Sequence, residues 1–174
     1  AEPGWYGATQ NVMNHKLLLR VYDSLLAPAD WATVAAASYY PGGNIALANR
    51  PDGKGLLACW QTQTYGDNGK YAKKNPTCAM ILTASPLAPQ PVDISTVLAQ
   101  TDEPFSVALG TQQPSGYFLL LSRKTQVGLH EVLLQRLGPE GVLQGTAVVV
   151  QSSPSASYFV GAAAADGAGR LAWA

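Results

Sequence analysis

The stretch Asp52-Gly53-Lys54-Gly55-Leu56-Leu57-Ala58 returns near the C-terminus as Asp166-Gly167-Ala168-Gly169-Arg170-Leu171-Ala172. A shorter echo, Gly138-Pro139-Glu140-Gly141-Val142-Leu143, lies between them. In each, an apolar or small-residue run enters the turn and another leaves it. Asp-Gly supplies the positive φ of a tight hairpin, because Gly has no Cβ to clash and Asp tolerates left-handed backbone. The phrase therefore predicts antiparallel strands joined by short turns.

Working outward, turn clusters divide the chain into short segments. Trp31 to Tyr39, Asn44 to Asn49, Leu56 to Thr62 and Cys78 to Thr83 read as a first set of strands. Val92 to Ala99, Phe105 to Leu109, Tyr117 to Arg123, Leu129 to Leu137, Val142 to Val150, Tyr158 to Ala164 and Arg170 to Trp173 read as a second. Strands spaced by about 8 to 12 residues, with a turn in the gaps, are an all-β signature. The uninterrupted run Tyr117-Phe118-Leu119-Leu120-Leu121 suggests a strand covered on both faces. A polar loop is expected from Tyr65 to Thr77, and residues 84 to 92, with three prolines, read as an extended connector between two β halves of one domain spanning 1–174.

One helix is expected, over residues 11 to 26. Val12, Leu18, Leu19, Tyr22, Leu25 and Leu26 are spaced roughly three to four apart, and Pro28 stops the pattern.

Of the 174 residues, 47% are hydrophobic and only 13% charged, with eleven basic residues balancing eleven acidic ones. No basic surplus or stripe points to nucleic acid, and no apolar run reaches the ~18 residues of a bilayer span. Cys59 and Cys78, 19 positions apart, sit beside strand-like segments. A Cys59–Cys78 disulfide is the expectation, with a pair of buried thiols as the alternative; two cysteines make a tetrahedral zinc site only with histidine help. The start Ala1-Glu2-Pro3-Gly4 reads as a signal-peptidase product, which with the cysteine pair points to a periplasmic or secreted protein.

Chemistry-bearing residues are sparse. His15 falls in the expected helix. His130 and Glu131 are adjacent, so a regular strand points them to opposite faces, which argues against a dyad. Gly-x-Ser-x-Gly, Walker and His-Glu-x-x-His motifs are absent from the sequence, and Gly66-Asp67-Asn68-Gly69 lacks the carboxylates of an EF-hand loop. The chain is read as a non-enzyme with no cofactor or metal. A small hydrolase built on His130 is the minor alternative, and a carbohydrate-binding or assembly module using Trp5, Trp31, Trp60, Tyr39 and Tyr40 is another.

The segment with recognition character is Thr111-Gln112-Gln113-Pro114-Ser115-Gly116, a polar, uncharged hairpin tip between two strongly apolar strands. Loops on a rigid β scaffold are the usual places for recognition. Thr111, Gln112, Gln113, Ser115 and Gly116 are the candidate partner-binding residues.

Pro114-Ser115-Gly116-Tyr117-Phe118 recurs as Pro154-Ser155-Ala156-Ser157-Tyr158-Phe159, with the Tyr-Phe pairs 41 residues apart. That period and the Asp-Gly turns resemble β-propeller blades, each about 40 to 45 residues long. The length suits an open arrangement of a few blades, or a small sandwich, better than a closed propeller. In this the chain is similar to the propeller-like periplasmic immunity proteins that neutralise cell-wall amidase effectors of type VI secretion. The resemblance implies a protein partner, a cell-wall-degrading effector, whose active site would be plugged by a serine-bearing loop; the polar tip with Gln112, Gln113 and Ser115 matches that loop.

Overall fold

Each Asp-Gly or Pro-Glu-Gly phrase closes a hairpin. Arg50 N donates to Gly55 O and Gly53 N to Arg50 O around the first turn, Gly138 N donates to Val142 O around the second, and Asp166 N to Arg170 O around the third. In the computed structural model the described residues are 4–5, 13–14, 17–22, 28–35, 44–65, 71–82, 88–112, 115–166 and 170–174. They form β1 (Gly4–Trp5), β2 (Met13–Asn14), β3 (Leu17–Tyr22), β4 (Pro28–Ala35), β5 (Ala46–Asn49), β6 (Gly55–Tyr65) and β7 (Tyr71–Leu82). β8 (Ala88–Val92), β9 (Glu103–Gln112), β10 (Gly116–Lys124), β11 (His130–Leu137), β12 (Leu143–Ser153), β13 (Ala163–Ala165) and β14 (Leu171–Trp173) follow.

Two four-stranded antiparallel meanders dominate, ordered β5-β6-β7-β8 and β12-β11-β10-β9. β1–β2, β3–β4 and β13–β14 are two-stranded. The class is all-β, as the turn spacing predicts. Inward positions alternate along each strand: Ala46 and Ala48, Leu57 and Cys59, Cys78 and Met80 from the first meander meet Val107, Leu109, Tyr117, Leu119, Leu121 and Leu133 from the second in one core. The other face of the second meander is covered too. Ala108, Leu120 and Val132 pack with Val160, Tyr158, Ala163 and Leu171 of the C-terminal segment. This double cover explains why Tyr117 to Leu121 is apolar without alternation.

Two polar devices, one buried and one partly buried, hold the C-terminal segment to the sheet. Ser106 and Ser122 hydroxyls, on adjacent strands, lie 2.5 Å apart, and Val160 N donates to Ser106 Oγ at 2.7 Å. Asn44 Oδ1 accepts from Val107 N at 2.9 Å while its Nδ2 donates to the carbonyls of Val107 and Val160.

Several expectations are corrected. No helix occurs within 11–26 among the described residues; Met13–Asn14 is β2, and Leu17–Tyr22 is β3 paired with β4. The run Leu-Leu-Leu-Arg-Val-Tyr is compatible with either state over so short a span, and hairpin pairing decides it. Pro28 opens β4 instead of stopping a helix.

The polar segment 65–77 is mostly strand, because β6 runs to Tyr65 and β7 starts at Tyr71. β8 pairs only with Cys78–Leu82 of β7, so Pro76 lies where β7 is locally an edge and no ladder donor is missed. Residues 88–92 of the proline-rich stretch form β8, an edge strand, where proline is tolerated for the same reason. Val92 to Ala99 leaves the sheet after Val92, and Ile94 and Val97 enter the core from a loop.

Cys59 and Cys78 are directly opposed in β6 and β7 and joined as a disulfide, with Cα atoms 4.1 Å apart. Both are fully buried between the meanders. Closing a loop of this length stabilises by about 3 kcal/mol in the chain-entropy model. Chemical denaturation with excess reductant should therefore show a midpoint lower by that equivalent than without it, because reductant reaches the sulfurs only as the chain opens. Identical midpoints would show that the bond adds nothing.

Candidate functional site

The polar hairpin expected between two apolar strands is the β9–β10 turn. Gln112 pairs with Gly116 and Thr111 with Tyr117, which leaves 113–115 as the tip. Ser115 is exposed and Gln112 half-buried, while Gln113 and Pro114 lie outside the described residues. Thr111 and Gly116 serve the base. Thr111 Oγ1 donates to Asn49 O at 2.8 Å, which ties the hairpin to the first meander. Gly116 is buried at φ +132°, and a Cβ there would overlap the Leu137 carbonyl oxygen and come within 2.7 Å of the Gly138 carbonyl carbon. Beneath the tip, Tyr117 is fully buried and its hydroxyl contacts Met80 Sδ at 3.8 Å. Burial pushes its phenol up to about 12; the nearby Arg50 guanidinium pulls the other way, and Asp52 and Glu140 add to the rise.

Three turns meet here. Arg50, in the β5–β6 turn, donates through Nη2 to Glu140 of the β11–β12 turn, and its Nε lies 3.2 Å from Asp52 Oδ1. Gly141 of the same β11–β12 turn abuts the side chain of Val92. Asp52, Ser115 and Glu140 are exposed, so the rim carries two carboxylates, a half-buried guanidinium and the hydroxyl of the tip. Asn49, Arg50, Asp52 and Glu140 are not singled out by motif. The available signal is that alternate turns of an up-and-down meander fall at one end, but which turns of two separate meanders meet depends on how the sheets pack.

No family model matches the chain, and neither a curated protein nor a solved structure matches it.

The opposite end of the second meander holds the other polar cluster. Arg123 on β10 reaches Asp102 Oδ2 through Nη1 at 2.5 Å and Glu131 Oε2 through Nη2 at 2.6 Å and Nε at 2.9 Å. Asp102 Oδ2 also accepts from Ala99 N at 3.1 Å, which closes the 93–102 loop onto the sheet. Glu131 is thus committed to Arg123, and the His130 ring stacks on Phe105 at 5.8 Å between centroids. The two adjacent residues are not brought together as a dyad. Among the described residues no group of three His, Cys, Asp or Glu side chains is placed to hold a metal. Trp60 is buried in the first meander, so it forms no surface platform for a sugar. The side chains of Trp5 and Trp31, like Tyr39, Tyr40, His15 and the Gly66–Gly69 turn, lie outside what is described.

Proposed function

We propose that this chain is an exported protein-binding module that docks through the β9–β10 tip and the surrounding rim. In its specific form it is a periplasmic immunity protein that plugs the active site of a cell-wall amidase effector of type VI secretion. The observation that carries the reading is the stiff seat of the tip. Thr111 is bonded to Asn49, Gly116 lies under the Leu137 carbonyl, Tyr117 is buried, and yet Ser115 is exposed. A hairpin whose base is fixed before docking has less entropy to give up on binding, which favours affinity from few contacts. The internal disulfide supports an oxidising compartment. Among the described residues no helix is long and apolar enough to cross a membrane.

The test begins with a peptidoglycan amidase effector captured by the wild-type protein. Truncating central contacts commonly costs about 2 kcal/mol each. The triple variant Gln112→Ala, Gln113→Ala, Ser115→Ala should therefore bind more than about tenfold more weakly by calorimetry and fail to block the amidase. Its thermal melt should match wild type, since the tip adds little to the core. A folded triple variant with unchanged affinity would mean that the tip is only a turn.

A further inference from the structure

We infer that the cleft between β7 and the 93–102 loop binds a primary alkylammonium group, whose charge meets Asp102 and whose methylene stem lies along the apolar walls. The cleft has a volume of about 360 Å³, at the lower end of the roughly 300–1,000 Å³ of small-molecule sites. It arises because β8 pairs with β7 only as far as Cys78 and Val92, after which the chain leaves the sheet and returns as β9. Val92, Ile94 and Leu98 on one side, with Pro76 and Pro104 on the other, make its walls apolar. Asp102 and Pro104 place it at the end of the second meander away from the β9–β10 tip, so the inference does not rest on the docking reading.

The charge of the ligand follows from the carboxylates. Asp102 is only 7% exposed and lines this cleft. Its Oδ2 accepts from Arg123 Nη1 and Ala99 N. Its Oδ1 accepts from no described group, yet it is not among the atoms sealed from solvent without a partner, so that oxygen opens on the cleft. Asp102 and Glu131 share the one guanidinium of Arg123, which leaves a negative charge over in a weakly screened cluster. Glu103 and Lys124 face each other across the ladder and offset one another. Asp93, at the exposed start of the loop, adds a second carboxylate to the lining. The Ser95 hydroxyl and N–H hold its carboxyl below the usual range, so it is an anion at neutral pH. Lys74, the one basic residue of the lining, is already engaged. A buried charge lacking its counter-ion is costly, so an entering cation is favoured.

The kind of cation follows from what remains free. A guanidinium seeks both oxygens of a carboxylate, and Asp102 Oδ2 is already taken twice. An ammonium is a compact point charge with three donors, so one carboxylate oxygen and nearby carbonyls satisfy it. β7 is unpaired on the cleft side over residues 74–77, which leaves alternate backbone carbonyls there as acceptors. The two carboxylates belong to no group of three side chains able to hold a metal ion. The apolar walls then suit the methylene stem that carries the ammonium.

Calorimetric titration of the full chain with n-pentylamine at neutral pH and low salt should show saturable single-site binding tighter than about 1 mM. Backbone amide shifts in NMR spectra should centre on residues 93–102. The uncharged n-pentanol should bind at least about tenfold more weakly, since it lacks the charge-assisted hydrogen bond. Asp102→Asn keeps the shape and removes the charge, and should also lower the affinity about tenfold. Asp93→Asn keeps the acceptor for Ser95 N, so it should retain the wild-type melt and bind about threefold more weakly, as an exposed ion pair implies. That variant tests the inference even where Asp102→Asn does not fold. Nα-acetyl-lysine methylamide separates the sources of the group: binding equal to n-pentylamine assigns a peptide lysine, and weaker binding a free amine. No saturable binding of n-pentylamine, equal affinity for n-pentanol, or a folded Asp93→Asn or Asp102→Asn with unchanged affinity would each overturn the inference.

Discussion

Replacing Gly116 with alanine should destabilise the protein by about 3 to 5 kcal/mol, the sum of a backbone strain and an overlap that cannot relax independently. The residue sits at φ +132°, where an L side chain is strained, and the atoms its Cβ would meet are the backbone of Leu137 and Gly138, not the end of a flexible side chain. Relief requires the β9–β10 hairpin to move off the β11–β12 turn, which would also loosen the Arg50–Glu140 and Thr111–Asn49 ties at the same rim. In a domain of this size the melting midpoint should fall by roughly 10 °C. Gly53→Ala is the control. Its φ is +72° with nothing within 4 Å of the added Cβ, so it carries the strain without the overlap. It should cost only about 1 to 2 kcal/mol. Equal losses for the two variants in parallel denaturant titrations would show that crowding under Leu137 is not what makes Gly116 necessary.

Arg123→Leu should have an effect of similar size for an electrostatic reason. The side chains of Arg123, Asp102 and Glu131 are 17%, 5% and 11% exposed, so solvent screens the cluster weakly. Removing the guanidinium leaves two buried carboxylates without a cation, and breaking such a cluster from one side costs about 3 to 5 kcal/mol. It also removes the polar tie between the 93–102 loop and β10, which Asp102 makes, and leaves Ile94 and Val97 to hold that loop to the core. Adding Glu131→Leu to Arg123→Leu should recover part of the loss, since replacing both members of a buried pair by apolar groups is often close to neutral. Denaturant midpoints of the single and double variants measure this. A single variant within about 1 kcal/mol of wild type would show that the cluster contributes no more than an exposed ion pair.

Much of the architecture was legible because its signals are local. The three turn phrases depend on residues within a few positions of one another, and all three close hairpins. The strand at Tyr117 to Leu121 was legible as doubly covered because only burial on both faces accounts for five consecutive large apolar residues. The misreadings have equally local causes. Leu17-Leu18-Leu19 carries no period that separates helix from strand over six residues. Between Tyr65 and Thr77 the β6–β7 ribbon extends past both neighbours, since β5 reaches only Cys59 and β8 only Cys78, so much of it has no apolar alternation to betray it. Ile94 and Val97 look like strand residues because they are core residues, although their backbone is a loop.

The amino-acid sequence by itself determined the all-β class, the turns and the presence of a polar, uncharged tip before Gly116. Turn type and strand character follow from steric preferences of the chain with its nearest neighbours, and those preferences hold before any packing. The disulfide partners were available to sequence reasoning because only two cysteines exist. What only the tertiary structure decided is which turns share an end and which groups meet there. Arg50 and Glu140 are 90 residues apart, and Asn49 and Thr111 62. Those contacts arise from the way two meanders stack across a common core. That stacking depends on the summed shape of many side chains on both inner faces, so no single motif along the chain announces it.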